Sequence, residues 1–395
     1  MKILTVVGTR PDAIKLLPVH IAAKAAGIES ILCATAQHIG MLDQVLTLFG
    51  INPDYNLQVM QTNQDLFHIT TAVLSKIKAI LEEVRPDLVV VQGDTTTSFA
   101  TALAAFYLKI PVGHVEAGLR TGSIHAPFPE EMNRKFIGMV ASYHFAATSL
   151  NVANLLSEGV DRTKIILTGN TVVDALYTIV GRIKNGLIPI SPTLKDLILS
   201  LKMKNKRIVL LTAHRRESFD GGLLNIFKAV QEMALAFPEL TFIYPHHPNP
   251  LVQKAIIESG LENVPGVHLL PPLVYSDLVY CLLEAEWVAT DSGGIQEEAI
   301  SLGKPVVVLR ELTERIEGVW AGVAELAGTD TVTILECMKR VHTTKPSFSS
   351  TNIYGDGQTS KKIASFIGTI RQESHHAIGV NMPIQQQRPK INTNP

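Results

Sequence analysis

A short apolar run, a polar loop and a helix-forming segment follow one another repeatedly along this chain of 395 residues. In the first half, the apolar runs lie at 2–7, 30–34, 87–91, 112–115 and 143–147. The pattern starts again in the second half, with runs at 207–211, 240–244, 267–270, 287–290 and 305–309. Strands separated by helices form βαβ units, in which the strands are parallel. We therefore predict an α/β chain with two doubly wound, Rossmann-like parallel sheets.

The length suits two domains better than one. The stretch between the two sets of strands contains Pro189, Ser191, Pro192 and several lysines, which is typical of a linker. The chain ends in a polar stretch with three consecutive glutamines, which predicts disorder. The expected divisions are an N-terminal domain at 1–170, a linker region at 171–206, a C-terminal domain at 207–358, a closing helix at 359–372 and a disordered tail at 373–395.

Composition excludes several classes of protein. A net charge of −1 gives no electrostatic reason to bind nucleic acid or a membrane surface. No apolar run approaches the roughly 18 residues that span a bilayer. The three cysteines, Cys33, Cys281 and Cys337, lack the spacing of a metal site and lie in apolar contexts, so we expect buried thiols. A cytoplasmic protein is the default expectation.

Polar loops follow the predicted strands, and the carboxyl ends of parallel strands are where ligands bind in open sheets. In the first half, Asp94 and Glu116 each follow an apolar run, and Glu130 and Arg134 share one face of the next helix. Asp94 could instead cap a helix, and Glu130 could complement a helix dipole. If the three carboxylates converge, repulsion and burial raise at least one pKa, as acid–base catalysis near neutrality requires.

Cationic and glycine-rich loops suggest an anionic ligand. Arg10 and Lys15 begin the first helix and could reach a phosphate, or could be a solvated charge pair. In the second half, His214 and Arg215 follow a strand and suit a diphosphate.

The segment Ser292-Gly293-Gly294 precedes a helix, where free N–H groups and the helix dipole attract phosphate oxygens. Glu298, one turn further, suits a sugar diol. Adjacent His246 and His247 point apart and lack a third ligand, so a zinc site is disfavoured.

The motifs together resemble the UDP-N-acetylglucosamine 2-epimerases of the non-hydrolysing bacterial type. They occur in the family's order over about residues 1–372 and read GTRPDAIK, TAQH, VQGDTTT, HVEAGLRTG, PFPEEMNR, TGNTVVDAL, TAHRRES, TDSGGIQEE, SLGKPVVVLR and NIYGDGQ. The resemblance implies the GT-B fold, with an active site in the cleft between two domains.

The resemblance implies reversible conversion of UDP-N-acetylglucosamine to UDP-N-acetylmannosamine. UDP is eliminated to give 2-acetamidoglucal and then adds again after a proton reaches the other face of C2. No cofactor or metal is implied. The family further implies a cytoplasmic homodimer that supplies N-acetylmannosamine for cell-surface polysaccharide such as capsule.

The resemblance also implies residue roles. Asp94, Glu116 and Glu130 match the catalytic carboxylates, and His214 matches the residue at the diphosphate leaving group. The implied substrate or UDP contacts are Arg10, Lys15, Arg134, Arg215, Leu273, Ser292, Gly293, Gly294, Glu298 and Arg315. Leu273 would hold uracil through its backbone, and Glu298 would contact the ribose.

The sequence departs from the family pattern at a few positions. Ile39 and Gly40 lie where the family holds a second, activating substrate molecule, so activation by substrate is left open. Asp12 and Ile316 replace the usual Glu and Pro. Four alternatives remain open at this point: a hydrolysing 2-epimerase, an epimerase of another UDP-2-acetamido sugar, a GT-B glycosyltransferase and a non-enzymatic nucleotide-sugar sensor.

Overall fold

The computed structural model describes residues 1–35, 40–61, 64–215, 218–344 and 352–376. Its N-terminal part contains a seven-stranded parallel sheet in the order β3-β2-β1-β4-β5-β6-β7. The strands are β1 Lys2–Val7, β2 Glu29–Ala34, β3 Tyr55–Asn56, β4 Leu88–Gln92, β5 Val112–Ala117, β6 Tyr143–Ala146 and β7 Ile165–Leu167. The helices up to the second sheet are α1 Arg10–Ala25, α2 Met41–Phe49, α3 Leu66–Val84, α4 Thr96–Tyr107, α5 Glu130–Val140, α6 Ser149–Ser157, α7 Thr171–Lys184 and α8 Pro192–Met203.

The C-terminal part contains a six-stranded parallel sheet in the order β10-β9-β8-β11-β12-β13. Its strands are β8 Arg207–Thr212, β9 Leu240–Pro245, β10 Val267–Leu270, β11 Trp287–Thr290, β12 Val306–Val308 and β13 Ala324–Leu326. The remaining helices are α9 Gly222–Ala236, α10 Pro250–Ser259, α11 Tyr275–Glu284, α12 Gly293–Ser301, α13 Ile316–Trp320, α14 Thr331–Thr344 and α15 Thr359–His376. The prediction of two doubly wound parallel sheets is confirmed.

All ten predicted strands are present, and three short strands were not predicted. The missed strands, β3, β7 and β13, have only two or three residues and lie at the edges of the sheets. The predicted linker region contains α7 and α8. Helix α15 continues to His376, four residues beyond its predicted end, and the rest of the predicted tail lies outside the described residues.

The inner faces of the two sheets share one hydrophobic cluster. Alternate residues of β1, such as Ile3 and Val7, pack into it together with α1, α7, α11 and α12, whereas Leu4 and Val6 face the outer side of the first sheet. Strands buried on both faces explain why their sequences read as continuous apolar runs. The shared cluster packs the two sheets against each other through the helices between them.

The last helix returns to the N-terminal domain. Helix α15 packs against α1 and α7, and Phe366 makes edge-on contacts with Tyr143 and Phe145 of β6.

The three cysteines are buried and unpaired, as predicted. Among the described helices, none is both long and apolar enough to span a bilayer.

Candidate active site

The topological switch points of the two sheets determine where the candidate site lies. In the first sheet the connections diverge between β1 and β4, and in the second between β8 and β11. Ligands of open α/β sheets bind beside such points, outside the carboxyl ends of the strands. Arg10, at the start of α1, and the loop residues Asp94, His214 and Ser292 directly follow these four strands, so all four lie at this edge of the sheets.

Helix α1 projects two cations toward this cleft. Thr9 caps the helix and forms a capping box with Asp12, whose carboxylate accepts hydrogen bonds from Gly8 N and Thr9 N at 3.0 Å. Lys15 is buried and its Nζ atom lies 2.6 Å from Glu116 Oε1. The alternative of a solvated charge pair is therefore wrong for Lys15. The shorter Asp12 still completes the cap, so this departure from the family pattern leaves the start of α1 intact.

Glu116 lies inside β5, not after it as predicted. The register between β5 and β6 shifts between Val115 and Ala117, and Glu116 has a φ of 62°. This bulge turns the side chain out of the strand's alternation and into the cleft. Burial alone would raise the pKa of Glu116, but Lys15 and Arg315 hold it below its usual value. Glu116 is therefore an ionised, firmly held carboxylate.

Asp94 and Arg134 form the next part of the same wall. Arg134 Nη2 donates to Asp94 Oδ2 at 2.5 Å, and both side chains lie at the end of β4. Thr95, not Asp94, caps α4 by accepting from Ser98 N, so the capping alternative for Asp94 is wrong. Arg134 also lies 3.7 Å from Glu314, which belongs to the C-terminal domain.

Glu130 has a different environment from the other two carboxylates. Burial raises its pKa, and repulsion by Asp94 adds to this effect. Its Oε2 atom is buried and has no hydrogen-bond partner among the described residues. A raised pKa and an oxygen without a partner are the properties that suit Glu130 to carry a proton.

The opposite wall begins at the loop after β8. Asp291 Oδ2 accepts hydrogen bonds from the backbone N–H groups of His214 and Arg215, at 2.5 and 2.7 Å. The His214 ring stacks on His247, with centroids 5.4 Å apart, and its side chain is 39% exposed. Attraction between Arg215 and Glu130 opposes the rise in the Glu130 pKa, which places this loop opposite the carboxylate wall.

The N-terminus of α12 lies beside this loop. Helix α12 begins at Gly293, and its N-cap residue, Ser292, makes no side-chain capping hydrogen bond. A Cβ atom on Gly293 would lie 2.6 Å from Arg315 Cζ, whereas a Cβ on Gly294 would meet nothing within 4 Å. Gly293 therefore lets the Arg315 guanidinium approach the start of the helix, where an anion would be held.

A further set of contacts joins the two domains near α11. Arg10 Nη1 donates to the Leu273 carbonyl at 3.1 Å. Tyr275 donates to Glu298 Oε1 at 2.6 Å, and burial raises the pKa of Glu298 to about 7. The uracil and ribose contacts expected of Leu273 and Glu298 stay predictions.

Of the two residues that depart from the family pattern at the activating site, Gly40 precedes α2 and Ile39 lies outside the described residues.

Sequence reasoning predicted Arg315 but missed Glu297 and Glu314, two acids that help it to connect the two walls. Arg315 contacts Glu116, Glu297 and Glu314, at 3.3, 2.8 and 3.4 Å. Burial alone would raise the pKa of Glu314, but Arg315, Arg310 and Arg134 hold it far below its usual range. Glu297 lies in the TDSGGIQEE motif and Glu314 directly precedes Arg315, but the sequence does not reveal that these acids contact Asn170 and Arg134.

Comparison with known proteins agrees with this geometry. The family model described as UDP-N-acetylglucosamine 2-epimerase matches residues 21–368. The UDP-N-acetylglucosamine 2-epimerase of Yersinia pestis is 46% identical over 376 residues, which cover 92% of this chain and 97% of that protein. The chain belongs to the UDP-N-acetylglucosamine 2-epimerase family. It is accordingly an isomerase that acts on carbohydrate.

Solved structures of this family share the architecture. The crystal structure of the Neisseria meningitidis epimerase bound to UDP-GlcNAc is 44% identical and has a TM-score of 0.86, covering 93% of this chain and all of that one. The Methanocaldococcus jannaschii epimerase in complex with UDP-GlcNAc and UDP is 31% identical, with a TM-score of 0.82 and coverage of 93% and 100%. The epimerase therefore has the GT-B fold, as predicted.

Proposed function

We propose that this epimerase interconverts UDP-N-acetylglucosamine and UDP-N-acetylmannosamine without releasing the free sugar. The observation that carries the proposal is the contrast among the carboxylates of one wall. Glu116 is held ionised by Lys15 and Arg315, while burial raises the pKa of Glu130. A site with one fixed anion and one proton carrier suits a reaction that must develop positive charge and move a proton.

In the proposed forward reaction, a carboxylate removes the proton from C2 of the sugar. The C–H electron pair forms the C1–C2 double bond of 2-acetamidoglucal, and the C1–O bond breaks with its electrons going to the UDP phosphate. The phosphate oxygen then adds to C1 while a proton reaches the opposite face of C2. Atoms and charge balance, and no oxidant or cofactor is required.

The two walls divide the work in this proposal. Asp94, Glu116 and Glu130 face the sugar, where charge and protons move. The diphosphate is held, as it departs and returns, by His214, Arg215, Arg315 and the N-terminus of α12. The Arg315 contacts to both walls support this division, because a closed cleft retains the intermediate.

Incubation with UDP-N-acetylglucosamine in D₂O, followed by NMR, tests the proposal. UDP-N-acetylmannosamine with deuterium at C2 is the expected product. Free N-acetylmannosamine and UDP would instead identify a hydrolysing epimerase. Transfer of the sugar to an added acceptor, with C2 unlabelled, would identify a glycosyltransferase.

We also propose a homodimer and a cytoplasmic location. Exposed apolar side chains cluster on α4 and α5, including Phe106 at 55%, Tyr107 at 65% and Met139 at 80% exposed. Large exposed apolar patches mark interaction sites, and closed two-fold dimers are the commonest oligomers. The free buried cysteines suit a reducing compartment. Light scattering of the protein and of a Met139→Glu variant tests the dimer.

A further inference from the structure

One amide side chain connects the two walls of the cleft. Asn170 is buried, with 1% of its surface exposed, and lies between β7 and α7. Its Nδ2 atom donates to Glu116 Oε1 at 2.8 Å and to Glu297 Oε2 at 2.6 Å. Glu116 belongs to the first sheet and Glu297 to helix α12 beside the second. A single amide group therefore bridges the two domains at the site.

A second role fixes the orientation of this amide. Asn170 Oδ1 accepts a hydrogen bond from Val172 N at 3.1 Å and so caps α7. Reversing the amide would place its oxygen against two carboxylates and its nitrogen against a backbone N–H. In the reversed orientation, acceptors would face acceptors at the carboxylates, and donors would face a donor at the backbone. The two N–H bonds of Asn170 are thus committed to Glu116 and Glu297.

Further contacts close a ring of hydrogen bonds around Asn170. Its backbone N–H donates to the Tyr354 carbonyl at 2.6 Å, and Tyr354 Oη donates to the Arg315 carbonyl at 3.0 Å. The Arg315 guanidinium donates to the same two carboxylates as the amide. Because the groups of this ring hold one another, a displacement of Asn170 is transmitted to Glu116.

The charge of this assembly explains why an amide suits the position. Lys15 and Arg315 offset the two carboxylates, so a neutral donor leaves the local charge balanced. Burial raises the pKa of Glu297, and the neighbouring Glu116 adds to the rise. An aspartate in place of Asn170 would bring a third carboxylate into the same buried space, which is unfavourable.

We propose that Asn170 is a positioning residue of the epimerase, which holds Glu116 in its reactive orientation while α12 is closed against the N-terminal sheet. This inference rests on the proposed function. The N-terminus of α12 is the proposed diphosphate site, so the same helix that binds the leaving group also orients a carboxylate at the sugar. Opening of the cleft would separate Glu297 from Asn170 and release that restraint.

The Asn170→Asp variant is the first test, because aspartate keeps the helix cap but replaces the two N–H donors with a charged acceptor oxygen. We expect kcat to fall about 100-fold, the scale of an ångström-sized misplacement of a reacting group, with little change in the Kd for UDP. Activity should recover partly as the pH falls, because a proton on the new carboxyl restores one donor. Asn249 caps α10 through the same contact to the residue two positions on, and Asn249→Asp should leave kcat and its pH profile unchanged.

The Asn170→Ser and Glu297→Gln variants test the same contact from its two sides. A serine hydroxyl can cap the helix but cannot donate to both carboxylates. A glutamine at 297 would turn its own N–H groups toward the Asn170 amide while leaving Asn170 and its cap unchanged. If the two residues act through one contact, the losses of kcat should not multiply. The Asn170→Ser/Glu297→Gln double variant should then lose about as much kcat as the less active of the two single variants.

The outcomes separate this inference from the proposed function. A wild-type protein that forms no epimer in D₂O would overturn the function itself. An active wild type, together with Asn170→Asp and Glu297→Gln variants of unchanged kcat and pH profile, would overturn only the positioning role. A lowered Tm with unchanged kinetics would likewise reduce Asn170 to a structural cap.

Discussion

The two walls of the cleft are built in contrasting ways. On the N-terminal wall, Asp94 and Glu116 are held by Arg134 and Lys15 in short ion pairs. On the C-terminal wall, the α12 N-terminus has no side-chain cap and His214 is partly exposed. Fixed side chains suit charge development and proton transfer, whereas available donors suit a ligand that departs and returns. The difference implies that variants of the two walls should fail in different kinetic parameters.

The largest expected effect comes from the N-terminal wall. Asp94→Asn or Glu116→Gln should lower kcat by about 10²–10⁴-fold, the usual range for losing an acid–base group or a charge that stabilises the transition state, while the Kd for UDP stays nearly constant. Steady-state kinetics and UDP calorimetry measure the two quantities. Asp161→Asn is a matched control, because Asp161 is an exposed cap in the same domain. Loss of UDP binding in Asp94→Asn would contradict the division of labour between the walls.

Gly293→Ala should damage the other wall. The new Cβ would meet the Arg315 guanidinium, which three carboxylates hold in place. We expect the Kd for UDP to rise about 10–100-fold, as losing one charge-assisted hydrogen bond costs about 1.5–3 kcal/mol. Gly181→Ala, within α7 and free of neighbours, is the control. Unchanged UDP affinity would mean that α12 is not the diphosphate site.

Lys15→Met should lower the stability of the fold. Removing one partner of a buried ion pair costs about 3–5 kcal/mol of unfolding free energy. Lys78→Met, which breaks an exposed pair with Glu82 at 3.6 Å, should cost less than about 1 kcal/mol. Denaturant unfolding measures both.

The difference in unfolding free energy between wild type and Lys15→Met should depend on pH in a definite direction. Lys15 and Arg315 lower the folded-state pKa of Glu116 despite burial, so the stabilisation is complete above the ordinary glutamate value of 4.5. It is lost as the pH falls through the lowered folded-state pKa. The gap between wild type and Lys15→Met should therefore narrow in acid. A gap that widens in acid would show that Glu116 is not held ionised.

The smallest effect is expected at the nucleoside end. Tyr275→Phe removes the 2.6 Å hydrogen bond to Glu298, and a single neutral donor contributes about 0.5–1.5 kcal/mol. The KM should rise by a few-fold with little change in kcat, and Tyr280→Phe on the same helix serves as control. A large fall in kcat would place Glu298 in the chemistry instead of in substrate binding.

Much of the fold could be predicted because its central strands are buried on both faces. Runs such as 87–91 therefore read as strands without further information, and the observed β4 begins only one residue later. The edge strand β3 has two residues and carries no periodic signal. The loops of the site were predictable because they follow strand ends.

The connections within the site were not predictable from local patterns. Asn170 and Glu297 are 127 residues apart, and Arg315 and Glu116 are 199 apart. Glu116 was placed after its strand because a bulge leaves no mark in the alternation of a fully buried strand. The adjacent acids Glu297 and Glu298 are both buried, and only the packed structure shows that Glu297 contacts Asn170 whereas Glu298 contacts Tyr275.

The return of α15 to the first domain affects the order in which the chain can complete its folding during synthesis. Ile363 and Ile367, both fully buried, belong to the hydrophobic cluster that includes β1 and α1. When the first half of the chain leaves the ribosome, the apolar surface around Phe145 lacks this cover until the last helix has been made. The N-terminal domain therefore reaches its final core only after the C-terminal domain has been translated, and a truncation before α15 would expose apolar surface in the opposite half of the molecule.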